Sequence, residues 1–270
     1  MSYIETSFIE VSSEVSEMLI ALLSDLQYEG FEEEENGLKA FITKELFDEA
    51  QLQKLSAQFK INYTVTNLPD TNWNEVWESN FQPIVVGNWV LRAEFHQPEK
   101  DIPNEIIITP KMSFGTGHHA TTFMMVQQMQ EINFTGKGVL DFGTGTGVLA
   151  ILAAKLGAAS VLAIDNDILS IDNATENFKK NNIDAIDLKM ADHIPKNMRF
   201  NIILANLTRN VIIENFIAIN ECVESGGVVF LSGLLIEDEK DIVLIAAKYK
   251  LVLDNKLQRD NWICLKLIKQ

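Results

Sequence analysis

The run Val139-Leu140-Asp141-Phe142-Gly143-Thr144-Gly145-Thr146-Gly147 constrains this chain more than any other stretch. Apolar residues lead into an acid, glycines follow at every second position, and the helix-forming stretch 148–156 comes next. A second apolar run, 159–164, ends on Asp165. The pattern reads as strand, glycine-rich turn, helix, strand and acid, the first half of a nucleotide-binding α/β unit. Glycine there lets backbone approach a ligand and turn tightly into a helix. Asp165, closing the second strand, is placed to accept hydrogen bonds from both hydroxyls of a ribose.

The glycine spacing narrows the ligand. A dinucleotide fingerprint, G-x-G-x-x-G, would put its third glycine at Val148; here it falls at Gly147. The resulting D-x-G-x-G-x-G resembles the motif of S-adenosylmethionine-dependent methyltransferases, which implies an α/β domain with a seven-stranded Rossmann-like sheet. A cationic sulfonium has no pyrophosphate to seat on a helix N-terminus. Asp141 is expected to draw the amino group of the methionine moiety, directly or through water. Glycine-rich turns also occur in folds without ligands, but acids at both strand ends weigh for nucleotide binding.

Length and composition agree with a two-part enzyme. The chain has 270 residues and is 47% hydrophobic, enough for more than one core. No apolar stretch approaches the roughly 20 residues that span a bilayer. The opening MSYIETSFIE has neither a basic region nor an apolar core of a secretory signal, so the expected location is cytoplasmic and off the membrane. Cys222 and Cys264 lie far apart with no C-x-x-C pair, which reads as buried thiols.

Charge is unevenly placed. Residues 1–70 hold 14 acidic and 4 basic side chains, a net of −10 out of −16 for the chain. Such a field repels nucleic acid, so direct, sequence-specific binding of RNA or DNA is not expected, whereas a basic protein is attracted. The same acidic surface could serve solubility alone.

The acidic stretch reads as a separate unit over residues 1–68. Strand-like alternation at 3–11, a helix from Ser12 or Ser13 to Leu26, a hairpin at 31–35 and 38–43, a helix at 48–59 and a strand at 61–66 give β-α-β-β-α-β, a small α+β ferredoxin-like pattern. It carries no nucleophile, metal cluster or phosphate loop, so recognition of a substrate is its expected role. Residues 69–80 read as a linker helix with Trp73 and Trp77 on one face. Residues 81–270 form the catalytic part, entered by strands at 81–95 and 105–109.

Two further stretches carry chemistry. Phe114-Gly115-Thr116-Gly117-His118-His119-Ala120-Thr121-Thr122 is a polar, flexible loop opening a helix at 121–130. Adjacent His118 and His119 point opposite ways on an extended loop and have no further ligands nearby, so no metal is expected. The apolar run 201–205 ends on Asn206, whose carbonyl can accept hydrogen bonds from an amine without protonating it. A turn or helix cap would account equally for Asn206. A helix at 209–221, a strand at 226–232, a helix at 236–249 and a hairpin at 251–257 and 262–268 complete the chain.

Taken together, F-G-T-G-H-H-A-T-T, D-F-G-T-G-T-G, A-N-L at 205–207 and L-S-G-L-L at 231–235 resemble the bacterial methyltransferases of large-subunit ribosomal protein eleven, over essentially the whole chain. In that family the loop usually reads F-G-T-G-T-H-P-T-T, so His118 stands for a Thr and Ala120 for a Pro. The resemblance implies cofactor contacts at Thr122, Gly143, Asp165 and Asn206, with Asp141 and Gly145 in the same loop. It also implies N-methylation of lysine side chains and of the N-terminal amine of that ribosomal protein, up to three methyls each, with S-adenosylmethionine as donor; Asn206, with nearby backbone carbonyls, is expected to position the amine. No compelling general base is evident; His119 is the nearest candidate. The rival readings are a methyltransferase for another protein amine, a nucleobase amine or a small metabolite, and a non-enzymatic ligand-sensing module.

Overall fold

A computed structural model describes residues 3–9, 11–34, 37–68, 82–110, 115 and 117–270. The expected linker helix with Trp73 and Trp77 lies outside the described residues, as do Phe114 and Thr116 of the loop. The chain divides into two compact units, residues 1–80 and 81–270.

The first unit runs β1 (Tyr3–Ile9), α1 (Ser13–Asp25), β2 (Gly30–Glu34), β3 (Gly37–Thr43), α2 (Glu49–Phe59) and β4 (Asn62–Asn67). Its sheet has the order β2-β3-β1-β4, with every pair antiparallel. Ser12 caps α1 by accepting from the Val15 amide, and Asp48 caps α2 by accepting from the Ala50 and Gln51 amides. Such caps satisfy amides that have no partner within the helix. Every second side chain of β1 is buried, and Ile4 and Phe8 pack with Leu19, Leu23, Leu38, Ile42, Leu52 and Leu55 in a core of this unit's own.

The second unit opens with a three-stranded sheet of β5 (Ile84–Val86), β6 (Trp89–Arg92) and β7 (Asn104–Ile107). The stretch expected as one strand is therefore a tight hairpin. Gly87 turns it at φ +59°, and the Gln130 side chain accepts from the Asn88 amide and donates to the Val86 carbonyl. Then follow α3 (Ala120–Met129), β8 (Gly138–Phe142), α4 (Val148–Lys155), β9 (Ser160–Asp165), α5 (Ile168–Lys180), β10 (Ile186–Met190) and β11 (Phe200–Asn206). The chain ends with α6 (Arg209–Glu214), α7 (Phe216–Cys222), β12 (Val223–Leu235), a 3-10 turn, α8 (Glu239–Lys248), β13 (Leu251–Arg259) and β14 (Trp262–Lys269).

These strands form a seven-stranded sheet, β10-β9-β8-β11-β12-β14-β13, parallel through β12 and antiparallel at β14 and β13. Both faces are covered, as a parallel sheet requires. Val139, Ile202 and Leu204 point into a core with α3, α4 and α5, while Leu140, Ile203 and Ala205 point into one with α6, α7 and α8.

The helix expected over 209–221 is two helices. Asn215 stops the first: its side-chain amide donates back to the Val211 carbonyl, as does its backbone amide, and α7 restarts at Phe216. Asparagine side chains compete in this way for helix carbonyls. Among the described residues no helix is long and apolar enough to cross a membrane.

Candidate active site

The sheet order reverses around β8, which has β9 on one side and β11 on the other. Ligands of open α/β sheets bind at such a switch point, outside the carboxyl ends of the strands. A cavity of about 450 Å³ lies there. Its walls come from the ends of successive strands: Ala191 and Asp192 after β10, Asp165 and Asn166 at β9, Phe142 to Gly145 at β8, Asn206 and Leu207 at β11, Gly233 in β12 and Trp262 opening β14.

Glycine is required in the loop after β8. Gly143, Gly145 and Gly147 all have positive φ, at +76°, +54° and +81°. A Cβ on Gly143 would strike the Leu207 side chain, and one on Gly147 would strike the Phe178 ring at 2.5 Å. The turn is held from β9, whose Ile164 carbonyl accepts from the Gly143 and Thr144 amides. Asp165 joins the same network: Oδ2 accepts from the Gly145 amide at 2.8 Å and Oδ1 from the Asp167 amide at 3.0 Å. A carboxylate offers about four lone-pair sites, so Asp165 is fixed in place with acceptor capacity left over.

Asp141, expected to draw the amino group directly or through water, is set back from the cavity wall. It is not among the cavity-lining residues and is 1% exposed beneath the loop. Its Oδ2 accepts from the Thr144 hydroxyl at 2.6 Å and the Ala150 amide at 3.1 Å, tying the loop to the first turn of α4. Oδ1 has no partner among the described residues. Burial pushes the carboxyl up to about 7, against the two hydrogen bonds and with the charge of Asp165 adding to the rise. Asp141 holds the loop from beneath.

Across the cavity, Asn206 donates from Nδ2 to the Thr122 hydroxyl at 3.2 Å. Thr122 is fully buried, and the Asn206 Oδ1 is buried with no partner among the described residues. A buried acceptor left so costs about 1–3 kcal/mol. His119 caps α3, with Nδ1 within 2.7 Å of the Thr121 hydroxyl, and lines the cavity; His118 is exposed. Among the described residues no group of His, Cys, Asp or Glu is arranged to hold a metal. The thiols of Cys222 and Cys264 are buried, and burial raises both to about 12.

The loop before α3 rests on the glycine-rich loop. The Thr146 hydroxyl donates to the Gly115 carbonyl at 2.8 Å, and Asn177 of α5 donates to the Thr146 carbonyl while accepting from the Thr109 amide, each at 2.8 Å. Asn177 thus binds the approach to the loop and the glycine turn to one helix.

Thr122, Gly143, Gly145, Asp165 and Asn206, singled out from sequence, meet in one cavity. Trp262, Asp192 and the Leu207–Gly233 contact were missed. Their signal was positional: Trp262 begins β14, Asp192 and Leu207 follow the ends of β10 and β11, and Gly233 lies in the last residues of β12. The strand β10, whose end supplies Asp192, received no residue range from the sequence, although Ile186 to Met190 alternates apolar and polar.

The architecture is the mixed α/β fold of methyltransferases. A crystal structure of a methyltransferase from Pyrococcus furiosus superposes with a TM-score of 0.51 over 61% of this chain and 89% of that one, at 18% identity. The family itself is specific. The family model described as Ribosomal protein L11 methyltransferase (PrmA) matches residues 8–270, and the chain belongs to that family. Relatives named Ribosomal protein L11 methyltransferase include those of Phocaeicola vulgatus, 36% identical over 99% of both chains, and Porphyromonas gingivalis, 39% identical over 93% of this chain and 89% of that one. The crystal structure of ribosomal protein L11 methylase from Lactobacillus delbrueckii subsp. bulgaricus matches with a TM-score of 0.65 and 28% identity, over 70% of this chain and 100% of that one.

Proposed function

We propose that this chain is an S-adenosylmethionine-dependent, cytoplasmic protein methyltransferase that N-methylates lysine side chains and the N-terminal amine of ribosomal protein L11. On this reading residues 81–270 are a Rossmann-like methyltransferase domain with seven strands, and residues 1–68 a ferredoxin-like recognition domain joined to it through 69–80. Direct, sequence-specific nucleic-acid binding is not part of the reading. The observation that carries it is the buried, unpartnered Asn206 Oδ1 in the cavity that also holds Asp165 and the glycine loop.

The residues present fit the donor. Asp165 would accept from the ribose hydroxyls, the backbone of Gly143 and Gly145 would lie against the amino-acid portion, and Thr122 would flank it. When bound, S-adenosylmethionine supplies a methyl group on a positively charged sulfur, which keeps the bonding pair as the acceptor nitrogen gains the methyl. The protein's own task is to present a neutral amine. Lysine titrates near 10.4 in water, and apolar walls such as Phe142, Leu207 and Val211 disfavour the charged form. Asn206 Oδ1 accepts an N–H of the amine, which leaves the lone pair free, and Thr122 fixes the direction of that acceptor. Orientation of this kind accounts for a large share of rate in bimolecular transfers.

The test is incubation with labelled S-adenosylmethionine and purified ribosomal protein L11, ribosomal RNA or free lysine, read by mass spectrometry. Methyl groups on lysines and the N-terminal amine of L11 alone are expected. Label on RNA, on free lysine in preference to L11, or on nothing would overturn the assignment.

A further inference from the structure

The cavity spans both halves of the sheet's end. It reaches from the end of β10 to the start of β14, and adjacent strands lie about 4.8 Å apart. Asp192, Asp165 and the glycine loop occupy the β10-β9-β8 half, where a nucleoside fits. The β11-β12-β14 half has Asn206 at its near edge and Trp262 at its far edge.

Trp262 is fixed in its place by α3. Its ring meets His119 edge-on, with centroids 4.8 Å apart and planes at 68°. One helical turn on, Phe123 receives the guanidinium of Arg259 at 4.0 Å from its ring centre. His119 and Phe123 are four residues apart and share a face of the helix start, while Arg259 and Trp262 flank the hairpin turn, where Asp260 has φ +54°. The Asn261 carbonyl also accepts from the Ile236 amide. The indole is therefore held before any substrate arrives.

We propose that Trp262, positioned by His119, is the specificity-determining residue of the acceptor half: its indole receives the alkyl stem and N-methyl groups of an acceptor amine, and so sets how many methyls accumulate. The inference rests on the proposed function in taking an alkylamine as acceptor. Its chemistry follows from the hydrogens of the amine. A primary amine has two N–H bonds and can give one to Asn206 Oδ1 while its lone pair attacks. Each transfer leaves an ammonium that must lose a proton to solvent before the next, and each replaces an N–H by a methyl. The dimethylamine has no N–H left to give Asn206. Its methyl groups, and the charge that forms on the third transfer, then need an apolar, electron-rich surface, which an indole supplies best among side chains.

The experiment compares Trp262→Phe, which keeps an aromatic face, with Trp262→Leu, which keeps apolar bulk without one. Methyl states on ribosomal protein L11 are counted by mass spectrometry, and donor affinity is measured by calorimetry. Trp262→Leu is expected to reduce trimethylated product at least fivefold relative to monomethylated product, with donor affinity within twofold of wild type; Trp262→Phe should restore most of the trimethylation. A product distribution in Trp262→Leu equal to wild type would overturn the inference, as would a uniform loss of all methyl states together with donor binding. A readout free of L11 is binding of Nε-trimethyl-lysine to the protein with S-adenosylhomocysteine, followed by tryptophan fluorescence. Wild type should show quenching that Trp262→Leu lacks, and identical quenching in both would equally sink the role of Trp262. Failure of wild type to methylate L11 with that quenching intact would overturn the proposed substrate and leave the acceptor seat standing.

Discussion

The Thr146 hydroxyl donates to the carbonyl of Gly115 at 2.8 Å, joining the glycine-rich loop to the loop that opens α3. Thr146 is fully buried, and its own carbonyl is held by Asn177. Position of one loop is thereby transmitted to the other by a single side chain.

Thr146→Val removes that hydroxyl while keeping the branched shape. A neutral hydrogen bond contributes about 1 kcal/mol, or roughly fivefold in rate if it acts only on the closed, reacting state. Steady-state kinetics of Thr146→Val should show turnover reduced by about that factor with donor affinity little changed, and Thr146→Ser should recover it. Normal turnover in Thr146→Val would remove the tether from any account of catalysis.

Asp165 is the next residue to test. Charge-assisted hydrogen bonds are worth about 1.5–3 kcal/mol each, so Asp165→Ala is expected to weaken S-adenosylmethionine at least tenfold in calorimetry. Because Asp165 also holds the Gly145 amide, circular dichroism must show a folded variant. Undiminished affinity in a folded Asp165→Ala would take the ribose contact away from this residue.

Gly233 separates space from backbone strain. At φ +81°, a Cβ there would run into the Leu207 carbonyl oxygen and stand 2.8 Å from its carbon, beside Asn206. Gly136 has φ +73° but nothing within 4 Å of its Cβ position. Gly136→Ala should therefore lose only the left-handed penalty of about 1–2 kcal/mol. Gly233→Ala should lose clearly more in denaturant titration and should impair turnover through Asn206. Equal losses at the two sites would show that Leu207 yields freely.

The pH dependence of stability carries the signature of Asp141. Its carboxyl titrates near 7 when folded, above the ordinary value of 3.8, because burial disfavours the charge. Between those values the folded protein holds a proton that the unfolded chain releases, so this group costs stability progressively as pH rises from about 4 to 7, and fully above that. Asp141→Asn removes the titration. The melting temperature of the variant relative to wild type should therefore rise as pH is raised from 5 to 8. A difference that stays flat would mean that Asp141 ionises at its usual pH.

Much of this site was legible because its signals are local. The helix starts at Ser12 and Asp48 announce themselves by side chains that cap the next amides, and Gly143, Gly145 and Gly147 by a backbone only glycine adopts cheaply. Asp165 and Asn206 could be found because each ends an apolar strand. What was not legible depends on contacts between distant segments. Nothing around residue 262 tells that its indole meets His119, and the depth of Asp141 beneath the loop depends on the Thr144 hydroxyl turning inward to it. The break at Asn215 is intermediate: the residue type hints at it, but the bond to Val211 decides it.

Truncation separates the roles of the two units. Among the described residues, the cores within 81–270 take side chains of that unit, and the first unit has a core of its own. Removing residues 1–80 should thus leave a folded protein that binds S-adenosylmethionine with unchanged affinity. The removed part holds the excess of negative charge, and a protein that sits on ribosomal RNA is basic. Opposite fields speed encounter and fix orientation, and added salt screens them over about 8 Å at 0.15 M. The truncated enzyme should therefore fail to methylate intact ribosomal protein L11. In the full chain, changing Glu32, Glu33, Glu34 and Glu35 to Gln should slow association and flatten its salt dependence while sparing turnover of bound substrate, measured by stopped-flow kinetics across a salt series. Full-rate methylation of L11 by the truncated enzyme would refute recognition by the first unit and assign it a regulatory or stabilising part instead.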